Sequence, residues 1–327
     1  MMHLNEARNV NDALEKGLQL LKMFGREEDS RNGPVITLSG PLVTTYDRPW
    51  ERVLFSAARD ANPFFHLYEA LWMIAGQNDV RSVAHYAKRM ADYSDDGEVL
   101  HGAYGFRWRE WFGFDQLHEI IKHLLEQPNS RRAVLGMWSP SGDLVASEGY
   151  GGIGSKDVPC NTHVYFRARS GKLTMTVACR SNDMVYGAYG ANAVHFSMLQ
   201  EYVASAVGMP VGAMYQLSND FHIYKSLPQF AALWSGGVVK NPYEHQAAVP
   251  LILPDETAFM FHEDCLRLVG EHPGTTDRTQ FFRGVVNPMI SAHAAWRAGA
   301  DWRAELGRMP TCDWCAAGRA WLERRAA

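Results

Sequence analysis

The chain has 327 residues, of which 32 are Lys or Arg and 36 are Asp or Glu, so its formal net charge at pH 7 is −4. Hydrophobic residues make up 46% and charged residues 21%, which is typical of a globular protein and excludes disordered and fibrous classes. No apolar run of about 18 residues is present and the N-terminus is polar, so we expect no membrane span, no signal peptide and a cytoplasmic location. The absence of a basic excess argues against direct binding to DNA.

The N-terminal part of the chain predicts one surface helix, two short strands and one buried helix. Residues 11–24 carry leucines at helical spacing, and residues 35–38 and 42–45 are typical of strands. Residues 64–74 are apolar on nearly every side, which predicts a buried helix. Glu69 lies inside that helix, and a buried carboxylate is costly unless it is paired or takes part in a reaction.

The central part of the chain predicts alternating helices and strands. In chain order, we predict a helix at 117–125, strands at 133–138, 163–167 and 173–178, a helix at 193–207 and a strand at 213–217. The strands on either side of Ser170-Gly171 are predicted to form a hairpin with a short turn.

The pattern beyond residue 240 is harder to interpret, although residues 294–326 are amphipathic and predict helix with a break near Pro310. Because no long linker divides the chain, we predict an α+β protein with a catalytic domain at residues 1–240. Residues 241–327 are predicted to form an extension that packs on the same domain.

The five cysteines are an odd number with wide spacing, which indicates free thiols rather than a disulfide framework. Cys160 follows a proline and precedes a strand, and Arg180 lies twenty residues later, at the far end of the partner strand. A hairpin can bring the two together, and a nearby guanidinium is expected to lower the pKa of the thiol. By itself such a cysteine is more often a small buried apolar residue.

Several blocks of sequence, in this order and spacing, carry a resemblance to a known family. They are YEALWMIAG around Glu69, AYGFRWREW around Tyr104, NSRRAV with Arg131 and Arg132, PCN with Cys160, RSND at residues 180–183, a helix opened by Asn192, and NDFHIY with His222 and Tyr224. The chain thereby resembles the thymidylate synthase superfamily, and most of all the phage hydroxymethylases that act on dUMP or dCMP. The resemblance implies a mixed β-sheet covered by helices, with one sheet face forming the interface of a homodimer.

The resemblance also implies roles for individual residues. Cys160 is similar to the thiolate that adds to position 6 of the pyrimidine, Glu69 to the buried carboxylate that organises water and moves protons, and Tyr104 to the residue that assists proton removal from position 5. The residues similar to the family's nucleotide site are Arg31, Arg131, Arg132, Arg180, Ser181, Asn192, His222 and Tyr224, with Arg131 and Arg132 supplied across the dimer. Asp183 is similar to a residue that contacts folate, and the implied cofactor is 5,10-methylenetetrahydrofolate.

Two departures from thymidylate synthases bear on the product. Those enzymes have a tryptophan about twenty residues after the buried Glu, whereas the ungapped counterpart here is 90–93, which contains none. Their short apolar C-terminal tail, which closes the site, is also missing. Weaker shielding from water favours a 5-hydroxymethyl product, with a methyl product as the alternative.

The base is predicted from Asn192. The family's uracil-reading residue is an Asn at this helix start, and deoxycytidylate hydroxymethylases have Asp there; an ungapped alignment would instead place Ala191 at that position. We therefore expect a dUMP hydroxymethylase, with dCMP or CMP as alternative substrates and an inactive nucleotide-binding or RNA-binding relative as the alternative from another class. Cys312 and Cys315 have metal-ligand spacing but lack a second pair, so we predict no metal site.

Overall fold

The computed structural model describes residues 1–145, 151–152, 154–236, 241–272 and 277–326. The strands are β1 His3–Ala7, β2 Arg26–Ser30, β3 Gly33–Thr37, β4 Leu42–Tyr46, β5 Val134–Gly136, β6 Asn161–Arg169, β7 Lys172–Cys179, β8 Asn182–Asp183, β9 Val211–Ser218 and β10 Phe221–Tyr224. The helices are α1 Val10–Phe24, α2 Pro63–Ile74, α3 Val80–Ala84, α4 Tyr104–Arg109, α5 Gln116–Glu126, α6 Asn192–Ala206, α7 Phe230–Ser235, α8 Ala258–Leu268, α9 Asn287–Arg297, α10 Trp302–Leu306 and α11 Asp313–Ala326. Shorter turns are 3-10 helices at Lys88–Tyr93 and Pro242–Glu244 and π-helical turns at Pro140–Leu144, Met184–Ala191 and Phe282–Val286.

Within the described residues, six strands form a mixed sheet in the order β1-β4-β9-β7-β6-β5. The β1/β4 and β7/β9 pairs are parallel and the other pairs are antiparallel, so the predicted α+β class with a mixed sheet is confirmed. A second sheet, β2-β3-β10-β8, was not predicted. Its strand β2 has the sequence REEDS and is exposed along its whole length, so no apolar alternation marks it.

The predicted hairpin is present as β6 and β7. Ser170 and Gly171 at its turn have φ values of 49° and 73°, the left-handed region that a two-residue turn of this kind requires. Near the open end, Asn161 pairs with Cys179 whereas His163 pairs with Ala178, so one extra residue forms a β-bulge. The bulge restarts the alternation of the strand and buries the Asn161 side chain on the same side as the apolar core residues.

Helix α2 is buried along nearly its whole length, as the sequence predicts, and packs against α6. Asn62 caps its first turn, because the side-chain oxygen accepts hydrogen bonds from the main-chain N–H groups of Phe64 and Phe65. The C-terminal helices α8, α9 and α11 pack on α2 from the other side. The predicted break near Pro310 is observed between α10 and α11, and a second break follows Arg297.

The face of the main sheet that turns away from α2 and α6 is only partly covered. Tyr165 on β6 and Val134 on β5 are 44% and 39% exposed. Tyr215 and Leu217 on β9 are partly exposed on the same side of their strand. In the part of the chain that the structure describes, none of the helices has both the length and the apolar character needed to cross a membrane.

Candidate functional site

A cavity of about 480 Å³ lies where the second sheet meets the open end of the β6–β7 hairpin. Five residues that the sequence singled out line it: Arg31, Arg180, Ser181, His222 and Tyr224. The lining also contains residues that the sequence did not point to, namely Asn32, Trp138, Asp143, Lys156 and Asp220. With three cationic side chains on its wall, the cavity suits an anionic ligand.

The sugar-binding pair predicted from the sequence is brought together on β10. His222 and Tyr224 are two residues apart on one strand, and their rings lie 4.9 Å apart in an edge-on arrangement. His222 Nδ1 is 3.1 Å from Asp220 Oδ1, and this hydrogen bond lowers the pKa of the Asp220 carboxyl. Strand β10 pairs with β3, whose hairpin with β2 carries Arg31 at its turn. The second sheet therefore positions both Arg31 and the His222–Tyr224 pair on the cavity wall.

Cys160 and Arg180 lie side by side at the open end of the hairpin, as predicted. Arg180 Nη2 is 3.8 Å from the Cys160 Sγ. The same guanidinium donates hydrogen bonds to the main-chain carbonyls of Pro159 and Val158 at 2.9 and 3.0 Å and lies over the Trp138 ring at 5.8 Å. These contacts fix the arginine next to the thiol while it also faces the cavity.

Arg180 favours the thiolate, as the sequence predicts, but burial of the thiol acts against it. Burial raises the pKa of the Cys160 thiol above its ordinary value, while Arg180 and Arg31 act in the opposite direction. The predicted direction of the Arg180 contribution is confirmed, but the net pKa is raised because the loss of solvent outweighs the two positive charges. A thiolate at this position needs further positive charge or a bound ligand.

A chain of side-chain amides runs from the nucleophile strand into the core. Asn161 Nδ2 donates to Asn192 Oδ1 at 3.0 Å, Asn192 Nδ2 donates to Asn182 Oδ1 at 3.0 Å, and Asn182 Nδ2 donates to Ser218 Oγ at 2.8 Å. All four residues are buried. Asn192 opens α6, as predicted, and its orientation depends on both neighbouring amides because each of its polar atoms already has one partner.

Tyr104 opens α4 and lies close to this chain. The side chain and the main chain of Asn161 both hydrogen-bond to its hydroxyl, and Cys160 lies near enough to affect it electrostatically. Burial raises the pKa of the phenol well above its ordinary value, so the hydroxyl is protonated at neutral pH. The structure thus brings the predicted proton-handling tyrosine near the predicted nucleophile.

Glu69 on α2 faces His195 on α6. Glu69 Oε2 and His195 Nε2 are 3.2 Å apart, and both side chains are nearly fully buried. Burial raises the pKa of Glu69 to about 8 and lowers the pKa of His195 to about 3. Sequence reasoning missed His195, because this residue stands in the apolar run AVHFSML of a core helix, 126 residues from its partner.

Asp183 is the last residue of β8 and precedes the turn that leads to α6. Its Oδ2 accepts a hydrogen bond from the Tyr186 main chain at 2.6 Å, while its Oδ1 is buried without a hydrogen-bond partner in the described residues. The Tyr186 ring lies between the guanidinium groups of Arg59 and Arg89, at 5.4 and 5.0 Å. Tyr93 belongs to the segment 90–93, which contains no tryptophan. It lies close enough to Asp183 and Tyr186 to interact with them electrostatically.

Arg131 and Arg132 are not part of the cavity in the single chain. Both are exposed, and they precede the edge strand β5. Across the described residues, no group of three or more His, Cys, Asp or Glu side chains has an arrangement that could hold a metal ion.

Comparison with known proteins gives consistent results. The family model described as thymidylate synthase matches residues 42–245. A deoxyuridylate hydroxymethyltransferase of Pseudomonas phage M6 is 44% identical over all of this chain and 95% of its own length. A protein of the same description from Delftia phage PhiW-14 is 33% identical over 92% of this chain and 81% of its own length. Another from Bacillus phage SP01 is 34% identical over 56% of this chain and 49% of its own length.

Proposed function

The chain belongs to the thymidylate synthase family, and from that premise we propose that it converts dUMP, 5,10-methylenetetrahydrofolate and water into 5-hydroxymethyl-dUMP and tetrahydrofolate. It is a one-carbon transferase of this family. The observation that carries the proposed chemistry is the Cys160 thiol held 3.8 Å from a guanidinium nitrogen of Arg180, which itself lines a cationic cavity. The relative that covers the whole chain has a name that states the same reaction class on deoxyuridylate.

We propose that the nucleotide phosphate binds at the cationic wall. Arg31, Arg180 and Ser181 line it, and planar guanidinium groups suit a dianionic phosphate. His222 and Tyr224 on the neighbouring strand are assigned to the sugar hydroxyl. Lys156, which the sequence did not point to, adds a further positive charge.

We propose that Arg131 and Arg132 complete the phosphate site of the partner subunit in a homodimer. Support comes from the position of these two exposed arginines beside the edge strand of a sheet face that stays partly uncovered in the single chain. Two more guanidinium groups would also supply the positive charge that the Cys160 thiol needs to ionise, since burial alone raises its pKa.

In the proposed reaction the Cys160 thiolate adds to position 6 of the uracil ring, and position 5 becomes nucleophilic. Tyr104, protonated and hydrogen-bonded by Asn161, is placed to assist removal of the proton from position 5. In the last step water adds to the one-carbon unit on position 5, its proton passes to a base, and the electron pair released into the ring expels Cys160 as thiolate. Glu69 is the carboxyl group assigned to this water.

Asn192 is proposed to read the base. Its Oδ1 has a second lone pair that can accept from the ring N3–H of uracil, and its Nδ2 has a second hydrogen that can donate to O4. Asn161 donates one hydrogen bond to Asn192 Oδ1, and Asn182 accepts one from Asn192 Nδ2. If the Asn192 amide were reversed to suit cytosine, both neighbouring amides would have to reverse as well. This coupling favours dUMP.

The folate is proposed to lie beside Asp183. The buried, unpartnered Oδ1 of Asp183 is an acceptor for the N–H groups of a pterin ring, and Tyr186 and Tyr93 offer aromatic surface next to it. When bound, 5,10-methylenetetrahydrofolate supplies the one-carbon unit. The residues present therefore fit this cofactor.

A hydroxymethyl rather than a methyl product is favoured by access of water. The segment Lys88–Tyr93 carries no tryptophan, and Tyr93 is 44% exposed.

The decisive experiment is incubation of the purified protein with methylenetetrahydrofolate and dUMP, dCMP or CMP, followed by mass spectrometry of the nucleotide. We expect one hydroxymethyl group on dUMP and no product with Cys160→Ala. A methyl group would instead establish thymidylate synthesis, and product from dCMP or CMP would overturn Asn192 as a uracil reader. Nucleotide binding without exchange of the hydrogen at position 5 would indicate an inactive relative.

A further inference from the structure

Two buried polar atoms face each other deep in the core without an ordinary hydrogen bond. Glu69 Oε2 and His195 Nε2 are inaccessible to solvent, and neither has a hydrogen-bond partner of acceptable geometry among the described residues. Yet the two atoms are only 3.2 Å apart. Burial of unsatisfied polar atoms is costly, so the arrangement needs a physical explanation.

The other side of the imidazole identifies its tautomer. The ring of His195 hydrogen-bonds to the main-chain carbonyl of His66, one turn before Glu69 on α2. Because Nε2 is the nitrogen without a partner, the bond to the carbonyl comes from Nδ1–H. In that tautomer Nε2 carries a lone pair, and it points toward a carboxyl oxygen that also carries lone pairs. A single proton on Glu69 turns two opposed acceptors into one O–H···N hydrogen bond.

The surroundings give Glu69 little reason to ionise. His66, whose ring is 6.2 Å from that of His195, is the titratable group in ring contact with the pair, and Arg59 acts on His66. Buried or half-buried cations on neighbouring elements have acidic partners: Arg107 with Asp143, Arg109 with Asp115, Arg52 with Glu201, and Arg324 and Arg325 with Asp60. Arg319 on α11 is exposed. Burial is the cause of the raised pKa of Glu69, which agrees with a carboxylic acid at neutral pH.

We propose that His195 is a positioning residue for Glu69: its Nε2 accepts a hydrogen bond from the protonated Oε2 of Glu69. This hydrogen bond keeps Glu69 an uncharged acid and leaves Oε1 as the acceptor for the water of the hydration step. The last clause rests on the proposed function, whereas the protonation state of the pair does not. Asn192 and His195 are one turn apart on α6, so the helix that carries the base reader also sets the proton of the carboxyl group. His195 thereby links base recognition to water placement.

The test is infrared spectroscopy of the nucleotide-free protein, with the protonated-carboxyl band of Glu69 assigned by its loss in Glu69→Gln. We expect the band at pH 7 and its disappearance as pH rises through about 8. In His195→Gln an amide N–H can donate to Glu69 and favours the carboxylate, so the midpoint should fall by at least one pH unit. His293→Gln, which alters another buried histidine on α9, should leave the midpoint unchanged.

A second measurement needs no variant. Nitrogen-15 NMR of the intact chain should show His195 as the neutral Nδ1–H tautomer at pH 6. An imidazolium signal, or a carboxylate band for Glu69 at neutral pH, would overturn the proposal, as would an unchanged midpoint in folded His195→Gln.

Activity separates this proposal from the proposed function. In His195→Gln we expect kcat for hydroxymethyl formation to decline with rising pH at a lower pH than in the parent chain, with KM for dUMP changed less than kcat. If the band moves but the parent chain forms no hydroxymethyl product, the pair stands and the proposed function fails. If product forms and neither the band nor the pH profile responds, the role of His195 fails alone.

Discussion

The two ends of the candidate site differ in almost every physical respect. The end lined by Arg31, Arg180 and Tyr224 opens to solvent and carries positive charge. The end built from Glu69 and Asn192 is buried, and its groups are neutral or paired with one another. The difference supports a proposed division of labour: the open end would supply affinity for an anion, and the closed end would supply selectivity and proton transfer, where a misplaced charge or an unmet hydrogen bond is most costly.

Loss of the thiol is the change that should separate the two ends most clearly. In Cys160→Ala we expect turnover to fall by about 10⁴-fold or more, the scale seen when a nucleophile is removed. The cationic wall is untouched, so dUMP should bind with nearly unchanged affinity. Calorimetry beside a turnover assay tests this, and a large loss of binding would show that the thiol end also supplies affinity.

Loss of Arg180 should affect both ends, because this residue faces the cavity and the thiol. We expect Arg180→Ala to raise KM for dUMP by roughly 10–100-fold, the worth of a hydrogen bond to a charged group. Its kcat should fall as well, since the thiol loses the nearest cation. Arg31→Ala is the matched comparison: Arg31 is exposed at a hairpin turn and should alter KM with a smaller effect on kcat, because Arg180 has the larger influence on the thiol. Equal effects of the two changes on kcat would contradict the assignment.

Exchange of the proposed base reader tests selectivity at the closed end. We expect Asn192→Asp to change the ratio of kcat/KM for dUMP over dCMP by about tenfold or more in favour of dCMP, because one hydrogen bond to the base changes from matched to unmatched. Asn192→Ala should reduce activity on both nucleotides without reversing the preference. Parallel steady-state assays on the two substrates measure this, and an unchanged ratio would mean that another residue reads the base.

The smallest expected effect concerns the ionisation of the thiol. Because burial raises the pKa of Cys160, alkylation by iodoacetamide should accelerate with pH at higher values than for an ordinary cysteine. Arg180 opposes the shift, so Arg180→Ala should move the rate profile to still higher pH. A profile that moves to lower pH in this variant would show that Arg180 does not stabilise the thiolate.

The sequence predicts the open end better than the closed end. The hairpin and the buried helix follow from local periodicity, whereas the His222–Tyr224 pair follows from the family resemblance, and each was found where predicted. The contact between Glu69 and His195 could not be predicted in this way, because it joins two core helices that are distant in sequence. Each residue taken alone only breaks the apolar pattern of its helix.

Other features escaped prediction for different physical reasons. Strand β2 is held by pairing with β3 and has no buried face to leave a pattern. Trp138 and Lys156 reach the cavity from irregular segments whose paths depend on tertiary contacts. The net rise in the pKa of Cys160 was not predicted, because the extent of its burial cannot be read from neighbouring residues.

The β-bulge next to the nucleophile strand has an evolutionary consequence. Asn161 pairs with Cys179 and His163 with Ala178, so Thr162 is the unpaired residue. A regular ladder that keeps Thr162 would place Thr162 rather than Asn161 opposite Cys179, and the Asn161 side chain would turn to the other face of the sheet, away from Asn192. A relative with such a ladder would thus keep the fold while it loses the Asn161–Asn192 contact, which orients the proposed base reader. We therefore expect changes in the pairing of these two strands, as well as substitutions in the site, to alter substrate preference within such a lineage.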